Sequence, residues 1–130
     1  MPRKKIIIGS IDTLSILKPD GSVDKKLLPR ISHVELIKAY RYMMMTRLLD
    51  EQALRYQRQG RIGTFAPNLG QEAAQVGSAM ALSSKDWFLP SFRELGAALV
   101  RGLTVKNYLL YLMGFEDSNA DLKGTTNFAV

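Results

Sequence analysis

The chain contains no cysteine. That excludes a disulfide framework and thiolate-held zinc or iron–sulfur centres, and it fits a protein of the reducing intracellular compartment. A single histidine, His33, leaves no imidazole cluster for a metal, and the acidic residues do not fall at ligand spacing. No apolar run approaches the roughly 18 residues a membrane helix needs. The opening "MPRKKIIIGSID" carries a basic cluster before three isoleucines, an apolar stretch too short for a secretory signal, with no small-residue cleavage site after it. The chain reads as cytoplasmic. Glycine-rich phosphate loops of the Walker and dinucleotide kinds are also missing.

What is present suits one modest domain. Apolar residues are 46% and charged residues 23% of the 130, enough to build a core and too apolar for general disorder. The net charge of +6 raises the question of an anionic partner. The basic residues are scattered among acids, Arg3-Lys4-Lys5 being the only tight cluster, and no aromatic–basic platform accompanies them. The pattern therefore argues against a nucleic-acid binder.

Local signals divide the chain into an extended arm and linker over 1–31 and a helical part over 32–130. Residues 5–17 read as two short extended pieces around Gly9. "KPDG" at 18–21 is a turn, with Pro19 presetting φ and Gly21 taking the tight exit. Ser32-His33-Val34-Glu35 is a capping box, so a helix is predicted over about 33–59 with Gly60 as its stop. Leu36, Ile37, Tyr40, Met44 and Leu48, with Met43, share one stripe; Arg41, Arg47, Arg55 and Arg58 fall outside it. A helix this long, about 40 Å at 1.5 Å per residue, suits packing along something larger than the chain.

"RIGTFAPNLG" (61–70) reads as loop, and 71–82 as a helix whose Ala74, Gly77, Ser78 and Ala81 form a small-residue face open to another backbone. "SSKD" is a turn and "WFLP" a short buried strand. A helix follows over about 92–101, ended by Gly102. Thr104 caps another that stops at Gly114. The tail from 115 onward reads as loop.

Three places invite a functional reading beside a plainer one. His33, in the first helical turn, is a surface residue or a catalytic one. Asp50-Glu51 and Glu116-Asp117 are adjacent pairs whose side chains diverge, so they read as solvated faces. Glu72 is either a carboxylate settled by a helix dipole or a group presented into a cleft beside Gln71. Arg93 is either a surface arginine or an anion clamp at a helix start, where guanidinium and free amides act together.

The order "YRYMMMTRLLDEQALRYQRQGRIG", "GQEAAQVGSAMAL", "DWFLPSFRELGAALVRGLTV" resembles the N-terminal region of the alpha subunit of 2-oxo acid dehydrogenase E1 components. The likeness covers about residues 12–130, and "LSILKPDGSV" is similar to the arm that precedes the helices in bacterial members. The resemblance implies a chain that is mainly α here and forms the N-terminal helical part of an α/β thiamine diphosphate-binding fold.

It implies thiamine diphosphate and magnesium at an alpha–beta interface, in a heterotetramer. The reaction implied is decarboxylation of a 2-oxo acid, pyruvate being favoured over a branched-chain acid, with acyl transfer to the lipoyl domain of E2. "SFR" matches a Tyr-Arg pair that contacts the diphosphate, which assigns Phe92 and Arg93 to cofactor binding. The loop matching "GTFAPNLGQE" implies that Phe65, Gln71 and Glu72 shape the substrate pocket. Phe92 departs from the usual tyrosine, Thr64-Phe65 from a Phe-Tyr pair of many bacterial members, and Ala66 from a histidine of animal pyruvate enzymes; these touch substrate identity. No Gly-Asp-Gly motif occurs, so no metal ligand and no catalytic residue is assigned in these 130 residues, which read as a piece inactive on its own. The rival expectation is a truncated, non-catalytic module that docks on E1 beta.

Overall fold

A computed structural model describes residues 9–115. The Arg3-Lys4-Lys5 cluster, the first extended piece and the tail with Glu116-Asp117 lie outside them. The chain divides into two units, Met1–Ile31 and Ser32–Val130.

In the first unit the "KPDG" turn is present. Gly21 donates its amide to Lys18 O at 2.9 Å and takes a φ of 81°, which glycine adopts without a Cβ clash. Lys18 N then reaches Ser22 O at 2.9 Å, and an isolated antiparallel bridge joins Leu17 to Val23. Residues 9–15 carry no regular structure.

The second unit holds four helices among the described residues: α1 (His33–Arg58), α2 (Glu72–Ala81), α3 (Leu95–Val100) and α4 (Val105–Leu112). The ends of α1 and the start of α4 have clear chemical causes. At α1, Ser32 Oγ accepts from Glu35 N at 3.2 Å, and the Glu35 carboxylate accepts from Ser32 N at 2.9 Å, so the predicted capping box forms. Gly60, at φ 69°, ends the helix just after its C-cap, Gln59. Thr104 caps α4 through Asn107 N at 3.1 Å. Ser32→Ala is expected to cost about 1 kcal/mol of unfolding free energy, checked by urea titration followed by circular dichroism.

The core lies where α2 and α3 pack on α1. Leu49, Leu95 and Leu99 form one cluster, with Tyr42, Met45, Leu103, Tyr108 and Leu109 packed against it. Ala53, Ile62 and Phe65 form a second, joined by Tyr56 and Leu112. α3 is short, but five of its six residues are buried. Burying each of its two leucines stabilises the fold by about 2 kcal/mol.

Two expectations change here. "WFLP" is not a buried strand: Trp87 is 69% and Leu89 74% exposed, and no extended strand occurs among the described residues. Three apolar residues bounded by a proline do not distinguish a strand from an exposed connection. On α1, the most apolar stripe is not the buried one. Ile37, Tyr40, Met44 and Leu48 are exposed, while Thr46, Leu49, Asp50 and Ala53 face inward. The inward face tolerates polar groups because they are bonded internally, Thr46 Oγ1 donating to Tyr42 O at 2.8 Å. Tyr40, Met44 and Leu48 of that stripe and α4's Val105 and Leu109 line an open groove of about 630 Å³. The small-residue face of α2 is likewise open: Ala74, Gly77, Ser78 and Ala81 are exposed, and α2 buries Glu72, Gln75, Val76 and Ala79 instead. No helix among the described residues is long and apolar enough to cross a membrane.

Candidate functional site

The loop between α1 and α2 and the segment before α3 carry the residues singled out from the sequence. A buried polar network fixes both. It begins at Asp50, on the inward face of α1. Its Oδ1 accepts from the Asn68 amide at 2.7 Å and from Asn68 Nδ2 at 3.2 Å. Asn68, 1% exposed, also donates Nδ2 to Ala66 O at 3.1 Å. Asn68 O closes the turn onto Gln71 N at 2.9 Å, with Gly70 at φ 88° supplying the left-handed bend.

Asn68 Oδ1 accepts Gln75 Nε2 at 3.0 Å and Leu95 N at 3.4 Å. Gln75 in turn donates Nε2 to Arg93 O at 2.6 Å and accepts Gly96 N through Oε1 at 2.7 Å. Three side chains thus tie α1, the 61–71 loop, α2 and the entry to α3 into one piece.

A second tie stands beside it. Glu72 is buried, and its Oε1 accepts from Arg47 Nε at 2.7 Å while Oε2 accepts the Gly70 amide at 3.1 Å. The Arg47 guanidinium, chiefly, holds the Glu72 carboxyl at about 2, against an ordinary 4.5, and Glu72 raises the arginine in return. Because the folded-state value is lowered, this contribution is complete above about pH 4.5 and is lost as pH falls toward about 2. Arg47 is 44% exposed, so water weakens the pair. Glu72→Gln is expected to flatten the acid limb of stability across that window, measured by urea midpoints from pH 2 to 7. At the core, burial first, with the Asp50 charge adding to it, pushes the Tyr108 phenol up to about 12.

The structure separates the sequence-assigned residues. Phe65 is buried against Ala53 and Ile62, its ring serving the core. The Glu72 carboxylate is engaged by Arg47 and by the Gly70 amide. Gln71 is exposed at the N-cap of α2, and its Oε1 lies 3.4 Å from Gln75 Nε2. Phe92 and Arg93 are both exposed, the guanidinium lying 5.6 Å from the Phe92 ring centroid. Gln71 and Arg93 are therefore brought together, through the amide of Gln75. His33 is exposed in the first turn of α1.

The surroundings of Arg93 differ from expectation. α3 begins at Leu95, with Glu94 as N-cap, so Arg93 precedes the helix. The amides of Leu95 and Gly96, expected to be free for an anion, are taken by Asn68 and Gln75. The Arg93 side chain makes no ion pair among the described residues. These residues also contain no group of three His, Cys, Asp or Glu able to hold a metal ion.

Sequence reasoning missed Asp50, Asn68 and Gln75. Asp50 is buried, not solvated as expected; only Glu51 of that pair is exposed. A signal did exist, since Asp50 falls on the same helical face as Leu49, Ala53 and Thr46.

The Dehydrogenase E1 component family matches residues 40–129. The alpha subunit of the pyruvate dehydrogenase E1 component from Acholeplasma laidlawii is 43% identical over 102 residues, 78% of this chain and 30% of that protein. Its counterpart in Staphylococcus epidermidis is 35% identical over 112 residues, 85% of this chain and 30% of the relative. The Mycoplasma pneumoniae counterpart is 42% identical over 89 residues, 68% of this chain and 25% of its own length. The chain therefore spans less than a third of the relatives it matches, and within that span it belongs to the dehydrogenase E1 component family.

Proposed function

We propose that these residues form the N-terminal part of the alpha subunit of a pyruvate dehydrogenase E1 component. That enzyme decarboxylates pyruvate and passes the acyl group to a lipoyl domain of E2. The observation that carries this reading is the 43% identity to an alpha subunit of that name across 102 residues, a stretch containing both loops of the candidate site. Pyruvate is preferred over branched-chain acids because the relatives compared are named for pyruvate dehydrogenase.

Thiamine diphosphate, with magnesium, supplies the electron sink for decarboxylation when bound. The residues present fit its diphosphate end. Arg93 offers an exposed guanidinium with no competing carboxylate partner among the described residues, and a guanidinium fork matches phosphate oxygens. Phe92 flanks it with an apolar ring and, lacking a hydroxyl, adds no hydrogen bond. Gln71 stands at the edge of the same site. Magnesium ligands are assigned outside this chain, to the rest of the alpha subunit. A beta subunit completes the enzyme. The exposed groove of α1 and α4 supports a subunit reading, because open apolar surface of this kind marks contact faces.

The test is decarboxylation by the alpha–beta enzyme carrying these residues, with the 130-residue chain alone as control. The assembled enzyme is expected to turn over pyruvate faster than a branched-chain 2-oxo acid, and the isolated chain to turn over neither. Turnover by the isolated chain, or a preference for the branched acid, contradicts the reading.

A further inference from the structure

We propose that Gln75 is the positioning residue for Arg93: its side-chain amide fixes the backbone from the carbonyl of that arginine to the amide of Gly96 and so sets where the guanidinium meets a phosphate group. The inference rests on the reading of Arg93 as the diphosphate contact, and it adds a residue with no phosphate contact of its own.

The geometry is specific. Gln75 is 6% exposed on α2, and its Nε2 donates to Arg93 O at 2.6 Å while its Oε1 accepts Gly96 N at 2.7 Å. One amide therefore spans residues 93 to 96. Among the described residues, the only other side chain bonded to Arg93's own backbone is its neighbour Glu94, whose carboxylate accepts the Arg93 amide at 3.0 Å. Glu94, the N-cap of α3, makes no side-chain cap bond, and α3 is only six residues long. Asn68 adds a long 3.4 Å contact to Leu95 N and orients Gln75 itself at 3.0 Å.

The chemistry requires an amide. The same side chain must donate to a carbonyl and accept from an N–H, which a carboxylate or an alkyl group of equal size does not do. Gln75→Glu keeps the volume, retains the acceptor for Gly96 and turns an oxygen toward the Arg93 carbonyl. Gly96 offers an independent approach from the other side. A Cβ there would lie 3.1 Å from Gln75 Oε1 and 3.1 Å from Thr46 Oγ1, so Gly96→Ala presses on the same amide.

The experiment uses the assembled alpha–beta enzyme and titrates thiamine diphosphate by calorimetry. Q75E is expected to raise Kd about tenfold, because the short bond to Arg93 O is lost together with that to Asn68 Oδ1, with kcat at saturating cofactor within about twofold. R93A raises Kd on its own, and Q75E in the R93A background adds nothing further, because Gln75 acts only through Arg93. A Q75E enzyme with a lowered melting temperature and unchanged Kd overturns the inference. So does full additivity in the double variant. If R93A raises Kd and Q75E does not, the inference alone fails; if R93A leaves Kd unchanged, the assignment of Arg93 fails and the inference with it. Should Q75E not assemble, G96A carries the same test, with about a threefold rise expected and an unchanged Kd overturning the proposal.

Discussion

Replacing Asn68 with leucine is expected to destabilise the chain by about 4 kcal/mol, the largest loss of any single change considered. Asn68 is almost wholly buried and bonds to Asp50, Ala66, Gln75 and Leu95. Leucine keeps the volume but leaves the Asp50 carboxylate without its Nδ2 donor, and leaves one Gln75 N–H and the Leu95 amide without their Asn68 acceptor. A buried polar group stripped of its partner costs about 1–3 kcal/mol, more when charged, and here several are stripped together. Against a typical stability of about 5–15 kcal/mol that loss is severe. Urea unfolding at neutral pH measures it, and a loss below about 1 kcal/mol contradicts the network as described. Asn68→Asp discriminates further. It sets a second carboxylate against Asp50, so one of the two must take up a proton in the folded state. That variant is expected to be unstable at pH 7 and to recover as pH falls toward 5, opposite in sign to the Glu72 effect.

Arg93→Ala is expected to raise the Kd of the assembled enzyme for thiamine diphosphate about a hundredfold, while thermal stability without cofactor stays within a degree or two. The side chain is exposed and its only described contact is the Phe92 ring, so removing it leaves no buried group unpaired. The whole effect then appears in binding. A charge-assisted, bidentate contact to a phosphate is worth about 3 kcal/mol, and each 1.4 kcal/mol is a factor of ten in affinity. Arg93→Lys keeps the charge but loses the planar fork and is expected to recover part of the loss. Titration calorimetry on the three enzymes checks the order: wild type tightest, lysine intermediate, alanine weakest.

How far the sequence reached depends on the range of the interactions involved. Local rules worked. Ser32 and Glu35 lie three apart and form the capping box, Thr104 caps α4, "KPDG" turns at Gly21, and Gly60 and Gly114 follow helix ends with positive φ. Each of these is decided by neighbours within a few residues. The entry to α3 was misplaced for the opposite reason. The pattern of 92–94 looks helical, but Gln75, 18 positions earlier, takes the Arg93 carbonyl, and Glu94 sits at φ −103°, ψ 42° outside the helix.

The same limit hid the candidate site's framework. Asp50 and Asn68 are 18 residues apart and Asn68 and Leu95 27 apart, so no window on the sequence shows them bonded. Phe65 and Glu72 were assigned to a pocket by likeness of motif, whereas core packing and the pair with Arg47 decide their positions here. On α1, periodicity identified an apolar stripe but not which side of the helix the rest of the unit covers. The inward side carries Thr46 and Asp50, and only their internal hydrogen bonds make it buriable.

If Arg93 grips the anionic end of the cofactor as proposed, its removal must be felt through the phosphates alone. Binding of thiamine diphosphate is therefore compared with that of thiamine, which lacks the phosphates, in wild-type and R93A assembled enzyme. Wild type is expected to prefer the diphosphate strongly and R93A to lose about a hundredfold of that preference, with thiamine binding unchanged. An R93A enzyme that keeps the full preference would contradict it.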